Sequence, residues 1–285
     1  MPTPDIDAAS RFLAAHARVL DRRRFERLFG DGDAQPVIDA VAAYRNADGG
    51  FGHALEPDGR APGSQSAAAE IALRTLHDAD AWDERLVAGA CEWLERSAPP
   101  EGGASGVDPS VEGWPHASWW QPDTSASLIT TGQIAGTLHA RGVEHRWLAP
   151  ATELMWQRID ALAGVTAYRL RGILRFLDLV PDRDRATAAL ERSVAPLIER
   201  DGLPDGQAPL ELSPLPGAPS RALFGDATIA AELDALAAGQ RDDGGWTFAW
   251  PAWSPAAEAD WRGSVTVDAL VILRAHDRLG ARAAA

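Results

Sequence analysis

The chain has 285 residues, 46% hydrophobic and 24% charged, ordinary proportions for a soluble globular protein with a substantial core. Its formal charge of −14 excludes general nucleic-acid binding and polybasic membrane contact, both of which need basic surface. All 27 basic residues are Arg, which rules out a Schiff-base or P-loop lysine, and the single Cys91 rules out an intrachain disulfide. No run approaches the apolar length of a bilayer span, and the N-terminus lacks a signal-peptide pattern. A cytoplasmic protein without membrane insertion is therefore expected. With no low-complexity linker, residues 1–285 are expected to form one domain.

Taken in chain order, helical periodicity dominates. Apolar residues at Ile6, Ala9, Phe12, Leu13 and Leu20 predict helix over 6–20, with more through 25–29. Further helices are expected over 37–44, 66–76, 84–94, 127–139, 147–162, 168–179, 185–198, 227–238 and 266–279. Cys91 falls within the helical pattern at 84–94, where a small buried hydrophobe is the plain reading. Small hydroxyl residues at Ser64 and Ser66, at 124–127, and at Ser264 and Thr266 are plausible N-caps. Alternating β-branched runs are scarce, so the expected class is all-α. Four long connections, 48–63, 99–123, 201–219 and 244–263, separate the helices, and connections of that length are often functional.

A repeat runs through this pattern. Gln240-Arg241-Asp242-Asp243-Gly244-Gly245-Trp246 has an echo at Arg45-Asn46-Ala47-Asp48-Gly49-Gly50-Phe51. Each places an acid, two glycines and an aromatic after an amphipathic segment, as expected of a helix end whose glycines take up left-handed backbone. Degenerate copies at Glu101-Gly102-Gly103 and Asp201-Gly202 suggest a unit of roughly 50 residues, with one member eroded near 150. Asp242 and Asp243 accordingly read as parts of a turn.

The tract from Gln240 to Trp246 resembles the QW motif of squalene–hopene and oxidosqualene cyclases, a repeat found also in protein prenyltransferase β subunits. The resemblance implies a single-domain α/α toroid, with about 10–12 helices in an inner and an outer ring. It also implies isoprenoid chemistry in an aromatic-lined central cavity, by proton-initiated carbocation cyclisation. The chain carries neither the DxDD acid of that family nor a DDxxD metal signature, so the acid would be a non-standard one. Gly89 stands two residues before Cys91 where a zinc prenyltransferase has Asp, and the seven histidines are scattered, so no metal and no cofactor are implied. These 285 residues leave no room for the second helical domain that cyclases set against the toroid, so a partner chain or the long loops are expected to close its mouth over a small hydrophobic ligand.

Candidate residues lie where loop acids meet aromatics. Glu56, Asp58 and Asp123 are the acid candidates, and Asp123 could instead cap the helix starting near 124. His53, Trp119, Trp120, Trp250, Trp253 and Trp261 are the candidate substrate-binding residues. His53 and His116 could act as bases or be plain loop histidines. Asp260 or Glu258 could pair with Arg262 on the surface. Glu70 and Asp268 fall within expected inner helices, facing either the cavity or a helix interface, and Glu70 has Arg74 at i+4 as a possible partner. Loop tryptophans beside paired carboxyls also suit an (α/α) toroid glycoside hydrolase or lyase. A non-catalytic toroid binding a prenyl lipid, peptide or protein is the third reading.

Overall fold

The computed structural model describes residues 3–164, 166–204 and 207–280. Helices dominate, and no strand occurs among the described residues beyond three isolated bridges. In order they are α1 (Ile6–His16), α2 (Val19–Phe29), α3 (Gln35–Ala42), α4 (Ser66–Asp78), α5 (Glu84–Ser97), α6 (Leu128–Ala140), α7 (Leu148–Asp160) and α8 (Ala167–Leu179). There follow α9 (Arg183–Ala189), α10 (Ala195–Asp201), the single turn α11 (Pro209–Leu212), α12 (Asp226–Ala238) and α13 (Pro255–Ala275). None is long and apolar enough to cross a membrane.

Local chemistry sets the helix ends. Asp5, Asp83, Asp182 and Ser254 each accept a backbone N–H three residues on, at 2.8–3.1 Å, satisfying donors that the first turn leaves open. Pro196, near the start of α10, has no N–H to return to the preceding turn, and the π-helical turn Leu190–Val194 joins α9 to α10 just before it.

Several boundaries depart from the sequence expectation. The 6–20 helix is two, broken at Ala17 and Arg18. The last helix starts at Pro255, because Ser254 caps it and Pro255 occupies its first turn, so the acids at 258–260 are helical. Ser264 and Thr266 lie inside that helix and cap nothing; Thr266 Oγ1 instead accepts the Trp246 N–H at 2.9 Å. The α4 N-terminus is capped from afar, with Ser66 N donating to Asp108 at 2.6 Å.

The repeat turns share one hydrogen-bond pattern. Asn46 N donates to Gly50 O at 2.8 Å, and Arg241 N to Gly245 O at 2.9 Å. Gly50 N donates to Asp48 at 2.9 Å, and Gly245 N to Asp243 at 3.0 Å. Gly49 and Gly244 have φ of 93° and 92°, and the aromatics Phe51 and Trp246 that follow are buried. Gly102 repeats the φ at 91°. Gly202 has φ 73° with an extended ψ, and Asp201 pairs with Arg200 instead of closing the turn. Each well-formed turn abuts a helix backbone. A Cβ on Gly49 would lie 2.5 Å from Gly89 O of α5, and one on Gly244 would lie 2.3 Å from Ala8 O of α1.

Packing neighbours form a closed cycle: α2 on α3, α3 on α4, then α4–α6, α6–α8, α8–α11, α11–α12, α12–α13 and α13 back on α2. The closest pair is α6 and α8, whose backbones meet at Gly132, Gly136 and Gly172, positions with no room for a Cβ. The largest apolar cluster runs from Leu20 through α4, α5, α6 and α8 to Leu233. A second unites α1, Phe25, Trp246 and α13, joining the first and last helices.

Candidate functional site

The segment between α3 and α4 carries a strained turn. His53 and Ala54 have φ of 55° and 62°, left-handed backbone that costs a non-glycine residue about 1–2 kcal/mol. Surrounding bonds hold it there: His53 N to Ala61 O at 3.0 Å, Leu55 N to Gly52 O at 3.1 Å, and the His53 ring to Asn46 Oδ1 at 2.8 Å. Leu55 is buried as an anchor, and Arg18, just before α2, donates to its carbonyl at 2.8 Å. Glu56 follows directly.

Glu56 lines a cavity of about 10 Å³ with Gly59, Ala61, Gln65, Ala68 and Trp120, room for one water. Glu56 is partly buried. Burial, then the nearby Asp58 charge, push its pKa well above the usual carboxylate range; the Asp58 N–H and Arg18 counteract only in part. That N–H donates to Glu56 Oε2 at 2.7 Å. Such an arrangement favours the protonated carboxyl, the form that can donate.

Asp58 gathers the aromatics. Its Oδ2 accepts the Trp119 indole N–H at 3.0 Å and its Oδ1 that of Trp261 at 2.9 Å. One residue earlier, Pro57 O accepts the Trp253 N–H at 3.1 Å. Trp120 covers Gly59, where a Cβ would sit 2.2 Å from its ring, and packs with Ala61, Val111 and Ala117. Trp250 stacks on Phe248 at 4.6 Å and meets Trp261 edge-on at 5.3 Å. Trp119 and Trp250 remain 45% and 36% exposed, so part of the aromatic cluster is open to solvent.

Behind this cluster lies a charged interior. Arg24 of α2 pairs with Asp268 of α13 at 2.7 Å, Arg74 with Glu70 within α4 at 2.9 Å, and Arg60 with Asp260 at 2.9 Å. Arg18 pairs with Asp21 at 2.9 Å. Tyr44 lies amid Arg18, Asp21, Asp260 and Arg60, its phenol pKa raised, chiefly by burial. Arg74 keeps 26% of its side chain accessible to water. No family model and no curated protein matches the chain.

The structure brings Glu56, Asp58, Trp119, Trp120, Trp253 and Trp261 together, with Trp250 against Trp261 and His53 at the strained turn. Asp123 stands apart in its bonding. Both its oxygens take hydrogen bonds from Ser125, at 2.8 and 2.7 Å, so it shapes an exposed turn, while Ser127 caps α6. The Ser125 N–H and then its hydroxyl hold the Asp123 pKa below the usual range. Arg262 pairs with Asp243 at 2.8 Å rather than with its own neighbours, and His116 bonds Trp114 O at 2.7 Å. Glu70 and Asp268 both have arginine partners. The sequence reading missed Arg18, Asp21, Arg24, Arg60 and Tyr44 as members of the site: nothing local marks the distant partners of Arg24 and Arg60, and the i,i+3 spacing of Arg18 and Asp21 does not reveal their burial. Among the described residues no group of three or more His, Cys, Asp or Glu could hold a metal.

Proposed function

We propose that this chain is a general-acid enzyme acting on a hydroxyl-rich, carbohydrate-like substrate, with Glu56 as the proton donor. The observation that carries the reading is Glu56 itself. A carboxyl with a raised pKa follows a strained backbone turn and stands beside exposed tryptophan faces. Proton donation needs a carboxyl kept neutral near physiological pH. Sugar rings stack on flat aromatic faces, and their hydroxyls need the charged and amide partners that an ion-paired interior offers. The closed helix cycle and its recurrent turns favour an α/α toroid as the scaffold. Trp119 and Trp253, from two separate loops, reach one two-residue span, which favours closure of the mouth by the chain's own loops.

Proton-initiated cyclisation of an isoprenoid is the second reading. The mutual contact of Phe248, Trp250 and Trp261 favours it, because aromatic faces stabilise a carbocation. The arginine pairs of the interior weigh against it, since guanidinium groups repel a developing cation. Incubation of the full chain with plant and microbial polysaccharides, and separately with linear polyprenyl diphosphates and squalene, distinguishes the two. Mass spectrometry of products should show shortened saccharides for the wild type and none for Glu56→Gln. Cyclised hydrocarbon with intact saccharides would overturn the first reading in favour of the second. No product from either set would leave the tryptophan site as a binding surface.

A further inference from the structure

Arg18 occupies the break between α1 and α2, where extended backbone at ψ 155° interrupts the helical pattern. Its guanidinium is nearly buried and makes two contacts at once. Nε donates to Asp21 Oδ2 at 2.9 Å, and Nη1 donates to Leu55 O at 2.8 Å. The Leu55 carbonyl and the Glu56 N–H belong to one planar peptide group, so a bond to that oxygen fixes the plane from which the Glu56 side chain departs. On the other side, Glu56 Oε2 takes the Asp58 N–H at 2.7 Å. The acid is thus held from both ends, directly after the left-handed pair His53 and Ala54 and the buried Leu55. The support behind Arg18 is itself tied down. Asp21 is fully buried, Arg24 lies 3.5 Å from its second oxygen, and Arg24 pairs with Asp268 of α13 at 2.7 Å. A planar fork serves a carboxylate and a carbonyl together in one fixed geometry, which an ammonium on a flexible stem does not.

We propose that Arg18 is a positioning residue for the reaction: it ties the Leu55–Glu56 peptide to α2 and so sets where the Glu56 carboxyl stands. The inference rests on the reading of Glu56 as proton donor to a glycosidic oxygen. Arg18 acts through Glu56 and passes no proton itself. Its charge adds a second effect of definite sign. Asp58 and Glu70 favour the protonated form of Glu56, and Arg18 opposes them. Loss of the guanidinium therefore displaces the acid from the bond it protonates and also moves its titration upward. An arginine that only stabilised the fold would do neither.

Hydrolysis of methyl glycosides, both anomers of the common hexoses and pentoses, tests this with the full chain, because the leaving methanol needs a proton. Arg18→Lys keeps the charge without the fork, and Arg18→Gln loses both. Each should lower kcat about 10²-fold with KM near the wild type. The basic limb of the kcat profile against pH reports the acid in the enzyme–substrate complex. It should move up in Arg18→Gln and stay in place in Arg18→Lys. Arg18→Lys, the milder change, carries the test if Arg18→Gln fails to fold. Wild-type kcat in the folded variants, with the basic limb unmoved, would overturn the Arg18 assignment and leave the Glu56 reading standing. A fall in kcat that only follows the loss of folded protein, measured by circular dichroism, would overturn it too. If the wild type hydrolyses no methyl glycoside, the two readings fall together.

Discussion

Asp58 accepts two indole N–H groups whose residues lie far apart in sequence, and its backbone N–H supports Glu56. Removing that acceptor leaves two partly buried donors unpaired, at about 1–3 kcal/mol each. Asp58→Ala should lower unfolding free energy by about 2–4 kcal/mol in urea titrations, with a shift in tryptophan emission as Trp119 and Trp261 change surroundings. An unchanged midpoint would show that the indoles are held by packing alone. Glu56 has the opposite sign. Burial raises its pKa in the folded protein, so the native state binds this proton more tightly than the unfolded chain does. The resulting stabilisation is full below the unfolded value and is lost as pH rises through the folded one. Glu56→Gln never ionises, so it should melt above the wild type at pH 7, on the order of 2–4 °C for a gain near 1 kcal/mol. Thermal melts should show that advantage closing below about pH 4. The tryptophans are conspicuous in the sequence as loop aromatics, but their convergence on Asp58 is not, because no local spacing links Trp119 or Trp261 to it. Glu70 with Arg74 was readable for the converse reason, as a pair at helical i,i+4 spacing.

Among the elements, the repeat turns govern how the helices meet. Gly49 and Gly244 combine left-handed backbone with contact against another helix. Alanine at either must strain φ and displace the backbone of α5 or α1. Each substitution should cost about 2–4 kcal/mol in denaturant titrations. Gly142 provides the control: its φ is 65° but nothing lies within 4 Å of a Cβ there, so Gly142→Ala should cost only about 1 kcal/mol. Equal losses at all three would show that the helix contact contributes nothing. These turns were legible in the sequence because acid, glycine and aromatic each perform a local task that recurs. The start of α13 was less so. The long tryptophan-rich run before residue 266 suggested a loop, while Ser254 and Pro255 supply a helix start that moves Asp260 and Trp261 onto the helix.

For the molecule as a whole, the helix cycle closes where α13 meets α1 and α2, and the Arg24–Asp268 pair lies across that seam. Arg24 is nearly inaccessible and also contacts the buried Asp21. Its loss leaves Asp21 with Arg18 alone and unties α13. Arg24→Ala should destabilise by about 3 kcal/mol, and hydrogen exchange should rise together in α1, α2 and α13. Faster exchange confined to α2 would contradict closure through this seam. The all-helical class was legible from periodicity because a buried stripe recurs with each helical turn. The charged interior was not, since Arg24 and Arg60 find Asp268 and Asp260 on α13, far away in sequence, and the i,i+3 spacing of Arg18 and Asp21 does not show that the pair is buried.

The central claim is that Glu56 holds a proton near neutrality. Carbon-13 NMR of the Glu side-chain carboxyls through a pH titration, with Glu56→Gln to assign the signal, measures it directly. The account predicts that the Glu56 resonance titrates well above the range of the exposed glutamates. Titration at the ordinary glutamate value would contradict the assignment of Glu56 as the acid.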